Sequence, residues 1–423
     1  MSHASSTSRG VHAFAVATAI ATLLLIAVGG LVTSKGAGMA VPDWPTSYGY
    51  NMFALPIHLW TGGALYEHTH RLWASVVGLM VVALTRWLGG RASRKPLAWI
   101  GAAELLAGLL MVTLWPSLRG TGFFLSGIGG VVLLAALVWI RNDAASHGLV
   151  RLGWIVFVLV QVQGLLGGLR VVLFKDQLGI FHAALAQVFF VLLCIIALFT
   201  SRTWRRHVSH QSSPLEQGAV GMPVRAGSRA SRFAILATTV LIFIQLLIGA
   251  TMRHQHAGLA IWDFPLAHGE LWPATDPESV LRYNQQRVEI SSANPITPFQ
   301  IHLHMAHRFM AVVILAAVVY CAGTLWRSRR LGESSHFAAR CSAVWLGLIL
   351  AQVGLGIATV LTHKAADVAT AHVVVGVLSL ATGALLCIFT FRSLAFSMRA
   401  PFLPGDARRF TGRSGVTAGA SQR

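Results

Sequence analysis

Two histidine–arginine pairs combine residue types and spacing that could support chemistry. His70-Arg71 and His307-Arg308 lie 237 positions apart, and each pair opens a long apolar run. Each histidine would then lie about one turn inside the end of a membrane helix. An imidazole is costly at that depth, and residues of this kind usually mark a functional site.

A second histidine follows in each half of the chain, because His182 and His372 also lie about one turn inside apolar runs. A single intramembrane histidine is most often a hydrogen-bonded polar residue. Four at matching depth instead indicate axial ligands of planar metal cofactors, each held between two facing helices. The sequence therefore predicts two haem sites, one formed by His70 and His182 and one by His307 and His372.

The residues beside these ligands suggest further roles. Arg71 and Arg308 could pair with outward-pointing haem propionates, or could extend along the apolar surface to reach water. Glu67 precedes His70 by three residues on the same helical face, where the other half has His304. A carboxyl beside one haem could move protons or stabilise charge. The alternative is an acid favoured by the helix dipole at an N-terminus.

The composition indicates an integral membrane protein. Of 423 residues, 55% are hydrophobic and 11% are charged, whereas soluble domains have about 25% charged residues. The net charge of +19 does not indicate nucleic-acid binding, because the basic residues separate apolar runs and do not cluster. The four cysteines fall in apolar runs or at an inner end, so no disulfide framework is expected.

The apolar runs of spanning length number about ten. They cover residues 11–32, 72–88, 97–115, 123–140, 152–173, 178–199, 233–252, 301–325, 341–361 and 368–391. With the N-terminus inside, 23 of the 33 Lys and Arg residues fall on the inner side. This bias predicts a cytoplasmic (inner) membrane protein with both termini in the cytoplasm.

An internal repeat organises these runs. Residues 37–45 match 257–265, and Gln163–Gly167 matches Gln352–Gly356. Runs one, two, five and six therefore correspond to runs seven to ten. We expect an all-α protein made of two parallel four-helix bundles, residues 1–200 and 233–400, with an inserted hairpin at 97–140. A cytoplasmic linker at 201–232 and a disordered tail at 401–423 complete the expected organisation.

The motifs resemble the haem A synthase family of cytochrome oxidase assembly. The resemblance is carried by Glu67, His70 and Arg71 in a Glu-x-x-His-Arg element, by Pro42–Pro45, and by the Gln-x-x-x-Gly helices. It implies an enzyme that oxidises the ring methyl of haem O to the formyl group of haem A. It also implies that His70 and His182 hold haem O, that Glu67 is needed for activity, and that His307 and His372 hold haem b.

The chain departs from that family in two respects. It has no cysteine pair in an outer loop, and the hairpin at 97–140 makes ten helices where eight are expected. The partners implied are the haem O substrate, membrane lipid, a haem O synthase and other oxidase assembly factors, without nucleic acid.

Two other functions account for part of the pattern. A di-haem b-type electron carrier that oxidises a quinol would use the four histidines, but it leaves the difference between Glu67 and His304 without a role. A transporter would place polar groups near the membrane midplane, but the sequence offers little there beyond Glu104, Gln163 and Gln352. For Glu104, a hydrogen-bonded packing role is expected.

Overall fold

The computed structural model describes residues 9–138, 145–204, 229–286, 295–331 and 333–397. The expected disordered tail at 401–423 and most of the expected linker at 201–232 lie outside the described residues. The prediction for each of these segments is therefore not addressed by the structure.

The described part of the chain is built from long apolar helices, because lipid requires each spanning segment to satisfy its own backbone hydrogen bonds. Among the described residues, nine apolar helical segments are long enough to cross a membrane, and one of them, Gly62–Leu114, contains two helices. The prediction of an all-α multi-pass membrane protein is confirmed. The helices are α1 Arg9–Ser34, α2 Gly62–Gly89, α3 Arg94–Leu114, α4 Arg119–Leu137, α5 His147–Leu173, α6 Asp176–Thr200, α7 Arg229–His254, a short α8 Pro277–Gln286, α9 Pro298–Arg327, α10 Glu333–Leu361 and α11 Ala366–Ser397.

The helices that contain the apolar runs at 72 and 301 begin before those runs, as the polar residues that follow Tyr66 and Phe299 allow. Helix α2 begins at Gly62, and α9 begins at Pro298 after a capping box formed by Thr297 and Gln300. Hydropathy underestimates the length of α2 because the first turns of this helix carry polar residues. Two of these residues, Glu67 and His68, are nevertheless buried. The candidate site residues of α2 therefore lie well inside a continuous helix.

The helices pack as two equivalent groups of four. Helices α1, α2, α5 and α6 contact one another around the first group, and α7, α9, α10 and α11 do so around the second. The groups meet where α11 packs on α1 and where α6 packs on α7 and α11. The repeat-related helices thus make equivalent contacts within each group.

The inserted hairpin is a tightly packed pair of helices beside the first group. Helices α3 and α4 approach backbone to backbone at Gly101, Gly108, Gly122 and Gly129, where an added Cβ would overlap the facing helix. The pair packs on α2, and it reaches α5 through a hydrogen bond from Gln161 to Glu104 of 2.9 Å.

The loops that follow α1 and α7 share one structure, as the repeat predicts. Asp43 accepts the backbone N–H groups of Tyr48 and Gly49, and Asp263 accepts those of His268 and Gly269. Partial burial would raise the pKa of Asp263, but these hydrogen bonds outweigh it, and the pKa lies below its usual value. Both aspartates therefore stabilise the turns of these loops.

Candidate functional site

All four candidate histidine ligands line one cavity of about 1880 Å³ between the two helix groups. His70 comes from α2 and His182 from α6, whereas His307 comes from α9 and His372 from α11. The cavity exceeds the usual volume of a pocket for one small ligand, which is about 300–1,000 Å³. It has room for two large ligands.

The second pair of histidines faces across the cavity. The ring centroids of His307 and His372 lie 6.4 Å apart, with their planes inclined by 60°. In the first half, His70 of α2 and His182 of α6 line the same cavity. The structure therefore brings each predicted pair together.

Each of the four rings lies against a glycine of a neighbouring helix. A Cβ added at these glycines would approach the Cε1 atom of the ring to within 3.4 Å or less. The pairs are Gly29 with His70 (2.9 Å), Gly167 with His182 (3.2 Å), Gly249 with His307 (3.4 Å) and Gly356 with His372 (3.2 Å). These glycines occupy repeat-related positions. Each half of the chain therefore has both the histidine and the glycine that makes room for its ring.

Each of the four rings buries one of its two nitrogens. The Nδ1 atom of each is buried without a hydrogen-bond partner among the described residues. The carbonyls of Leu25, Gln163 and Gln352 lie close to the rings of His70, His182 and His372, and Nε2 of His372 lies 3.4 Å from the side-chain amide nitrogen of Gln352. A histidine that binds a metal through one ring nitrogen commonly donates from the other to a carbonyl, so these surroundings are compatible with metal ligands.

Glu67 lies in the wall of the first half of the cavity, with 4% of its surface exposed. Its Oε2 atom accepts the N–H of Val41 at 2.9 Å, and its Oε1 atom forms an ion pair with Arg71 at 2.7 Å. In the second half the equivalent residue is His304, which is 3% exposed and has a partnerless Nδ1 atom. The difference predicted between the two halves is therefore present at buried, cavity-lining positions.

The two arginines that follow the ligands hold the outer loops, a role that the sequence did not indicate. Arg71 donates to the carbonyls of Asp43 and Thr46, at 2.7 and 3.0 Å. Arg308 donates to the carbonyl of Asp263 at 2.7 Å and to that of Leu266 at 2.9 Å. Both arginines also line the cavity, so their charge acts on its contents while their hydrogen bonds fix the loops.

Sequence reasoning missed two further cations of the cavity wall. Arg170 of α5 is largely buried, and its Nε atom has no hydrogen-bond partner among the described residues. Arg253 of α7 crosses to the first helix group, where it donates to the carbonyl of Gly30 at 2.7 Å and to the Ser34 hydroxyl. Both lie at the ends of apolar runs, where an arginine ordinarily reaches water.

Comparison with known proteins identifies the relatives of the chain. A family model described as cytochrome oxidase assembly protein matches residues 124–383, which is more than half of the chain. The chain belongs to this family. A heme A synthase of Geobacillus kaustophilus is 25% identical over 369 residues, or 86% of each protein. A heme A synthase of Halalkalibacterium halodurans is 24% identical over 373 residues, covering 87% of this chain and 92% of that protein.

A shorter alignment is closer in sequence. A heme A synthase of Caulobacter sp. is 31% identical over 160 residues, which cover 38% of this chain and 40% of that protein. The resemblance seen in the sequence is thus confirmed. Membership of the cytochrome oxidase assembly protein family implies a membrane oxidoreductase that handles haem.

Proposed function

We propose that the protein is a haem A synthase, which oxidises the ring methyl of haem O to the formyl group of haem A for cytochrome oxidase. One observation carries the proposal: a single cavity is lined by two histidine pairs at repeat-related positions, in a chain whose relatives over most of its length are named heme A synthase. Each imidazole could bind iron through one ring nitrogen and donate from the other to a neighbouring carbonyl.

In this proposal the two halves hold different haems. His70 and His182, in the half formed by residues 1–200, are the axial ligands of the haem O substrate. His307 and His372, in the half formed by residues 233–400, hold a resident haem b. Metal–imidazole bonds are about 2 Å long, so two imidazoles that share one metal have ring centroids about 6 Å apart. The separation of 6.4 Å between His307 and His372 suits this arrangement.

The bound haems supply the iron redox chemistry, and the protein supplies position and charge. Glu67 is the catalytic residue of the proposal, because its buried carboxyl lines the half assigned to the substrate. A carboxylate held by Val41 and Arg71 is fixed in place, and it can stabilise positive charge or accept a proton beside the substrate. His304 takes this position in the other half, where the resident haem needs no such group.

The outer end of the cavity is suited to the carboxylates of a haem. Arg71 and Arg308 line it, as do Arg170 and Arg253, and charge-assisted hydrogen bonds from arginine to carboxylate are strong. Because Arg71 and Arg308 already donate to loop carbonyls, their part is to add positive charge at the propionate end. Arg170 has hydrogen-bonding capacity to spare, and it would bond a propionate of the substrate directly.

The bias of basic residues supports a place in the cytoplasmic (inner) membrane with both termini in the cytoplasm. The outer ends of α2 and α6, and therefore the propionates, would face the opposite side. A haem O synthase in the same membrane would supply the substrate, and oxidase assembly factors would receive the product.

The proposal is tested by extracting and separating the haems of cells that express this protein together with a source of haem O. Haem A should form when the intact protein is present and be absent without it. Haem O that remains unconverted, with haem b still bound to the purified protein, would contradict the proposal and favour a di-haem electron carrier.

A further inference from the structure

The first half of the cavity has space that the second half lacks. Gly78 of α2 and Gly164 of α5 line the cavity, and a Cβ added at either would meet nothing within 4 Å. The repeat places Leu315 and Val353 at these positions in the second half, where both side chains line the cavity. The two halves are therefore shaped differently next to similar histidine pairs.

The inserted hairpin forms the far wall of this space. Phe124, Ile128 and Val131 of α4 line the cavity at helical spacing, as does Gly127, whose added Cβ would also meet nothing within 4 Å. The result is an apolar groove between the hairpin and helices α2 and α5. The groove is continuous with the cavity that contains His70 and His182.

One polar pair interrupts the apolar lining. Gln161 donates to Oε1 of Glu104 at 2.9 Å, whereas Oε2 of Glu104 is buried without a hydrogen-bond partner among the described residues. The position equivalent to Gln161 in the second half is Leu350, which is 55% exposed on the outside of the protein. Polar side chains inside a membrane protein usually have a function. Because Oε2 of Glu104 is free to accept a further hydrogen bond, the pair favours a ligand with a hydroxyl group over a role in packing alone.

We infer that this groove binds the isoprenoid tail of the substrate haem, and that Oε2 of Glu104 bonds the alcohol of that tail. The inference rests on the proposed function. Haem O differs from haem b by a long isoprenoid chain that carries a hydroxyl group, so the half that binds haem O needs an apolar channel that the half for haem b does not. The hairpin α3–α4, which has no counterpart in the repeat, is then the element that selects the tailed haem.

Binding of two haems to the purified protein tests the inference, with the resident haem site already filled. Haem O and haem b are titrated separately into the wild type, Gly164→Val and Gly78→Leu, which introduce the residues of the second half. Each substitution adds three or four carbon atoms to the groove and should weaken haem O binding by about 10-fold or more, because a misfit of even one methylene group in an apolar pocket has about this effect. Binding of haem b at the same site should change by less than about twofold.

Two further variants complete the comparison. Gly354→Val is the matched control, because a Cβ at Gly354 also meets nothing within 4 Å but Gly354 does not line the cavity; it should bind both haems as the wild type does. Gln161→Leu, which copies Leu350, should weaken haem O binding selectively.

The possible outcomes separate the inference from the function beneath it. Wild-type affinity of Gly164→Val and Gly78→Leu for haem O, or an equal loss of affinity for both haems, would overturn the tail-binding groove. If the wild-type protein binds neither haem, or if its binding is unaffected by loss of His70, the proposed function itself is refuted.

Discussion

Glu67 and Arg71 form a 2.7 Å ion pair one turn apart in α2, and both bind the same residue of the outer loop. Glu67 accepts the N–H of Val41, and Arg71 donates to the Val41 carbonyl at 2.9 Å. The carboxyl proposed to act on the substrate is therefore also a support of the loop that covers the site. Substitutions of Glu67 must separate these two roles.

Glu67→Gln removes the charge but keeps one acceptor oxygen, which can bind the N–H of Val41 or Arg71 but not both as the carboxylate does. We expect haem binding close to that of the wild type and a modest fall in melting temperature, with the rate of haem A formation reduced by at least about 100-fold. Glu67→Ala should loosen the loop further and lower the melting temperature more. A Glu67→Gln protein that makes haem A at the wild-type rate would show that the carboxyl has only a structural role.

The second histidine pair should hold the resident haem. His307→Ala removes one proposed axial ligand, so the purified protein should lose most of its haem b, as measured by pyridine haemochrome absorbance. His304→Ala is the control, since His304 is buried one turn away on the same helix but is not a proposed ligand. Equal haem b content in the His307→Ala and wild-type proteins would rule out this ligand assignment.

Substitution of the glycines that contact the histidine rings should be more harmful where an added Cβ would lie closer to the ring. A Cβ at Gly29 would lie 2.9 Å from His70, whereas a Cβ at the equivalent Gly249 would lie 3.4 Å from His307. Gly29→Ala should therefore displace its histidine and weaken haem O binding, while Gly249→Ala should retain haem b. Absorption spectra of the two variants with bound haem measure the effect. The reverse order of sensitivity would be inconsistent with the packing described.

Arg170 should contribute to substrate affinity by its charge. Arg170→Gln removes the cation proposed to bond a propionate, and the loss of one charge-assisted hydrogen bond should weaken haem O binding by roughly 10-fold. Neutralising the exposed Arg282 of α8 by Arg282→Gln provides the control and should have no effect. A haem O analogue with esterified propionates carries no carboxylate for Arg170 to bond. If Arg170→Gln weakens binding of this analogue as much as it weakens binding of haem O, the proposed role of Arg170 is wrong.

The sequence predicted those features that depend on type and spacing. His70, His182, His307 and His372 could be found because ionisable residues in apolar runs are conspicuous, and the repeat placed them in pairs. The similar structure of the two outer loops could also be predicted, because the sequence of residues 37–45 is repeated in residues 257–265. Such patterns are local in the sequence, so tertiary structure is not needed to see them.

Other features depend on neighbours in space and could not be predicted. Arg170 and Arg253 looked like surface charges until the helices around them were known. His68 and His254 lie near the ends of apolar runs, a position typical of surface residues, but both are buried within helices, His68 with no exposed surface. The open space beside Gly78 and Gly164 could not be predicted, because it depends on how far the side chains of neighbouring helices, including the inserted hairpin, lie from these two positions.

Conversion of haem O by the purified protein in membranes tests the central claim most directly. Haem O would be supplied with a reductant and air, and the haems extracted over time would be separated by chromatography for the wild type and for His70→Ala. The account predicts that haem A appears as haem O disappears in the wild type, and that His70→Ala converts none. Unchanged haem O in the wild type, or equal conversion by His70→Ala, would contradict it.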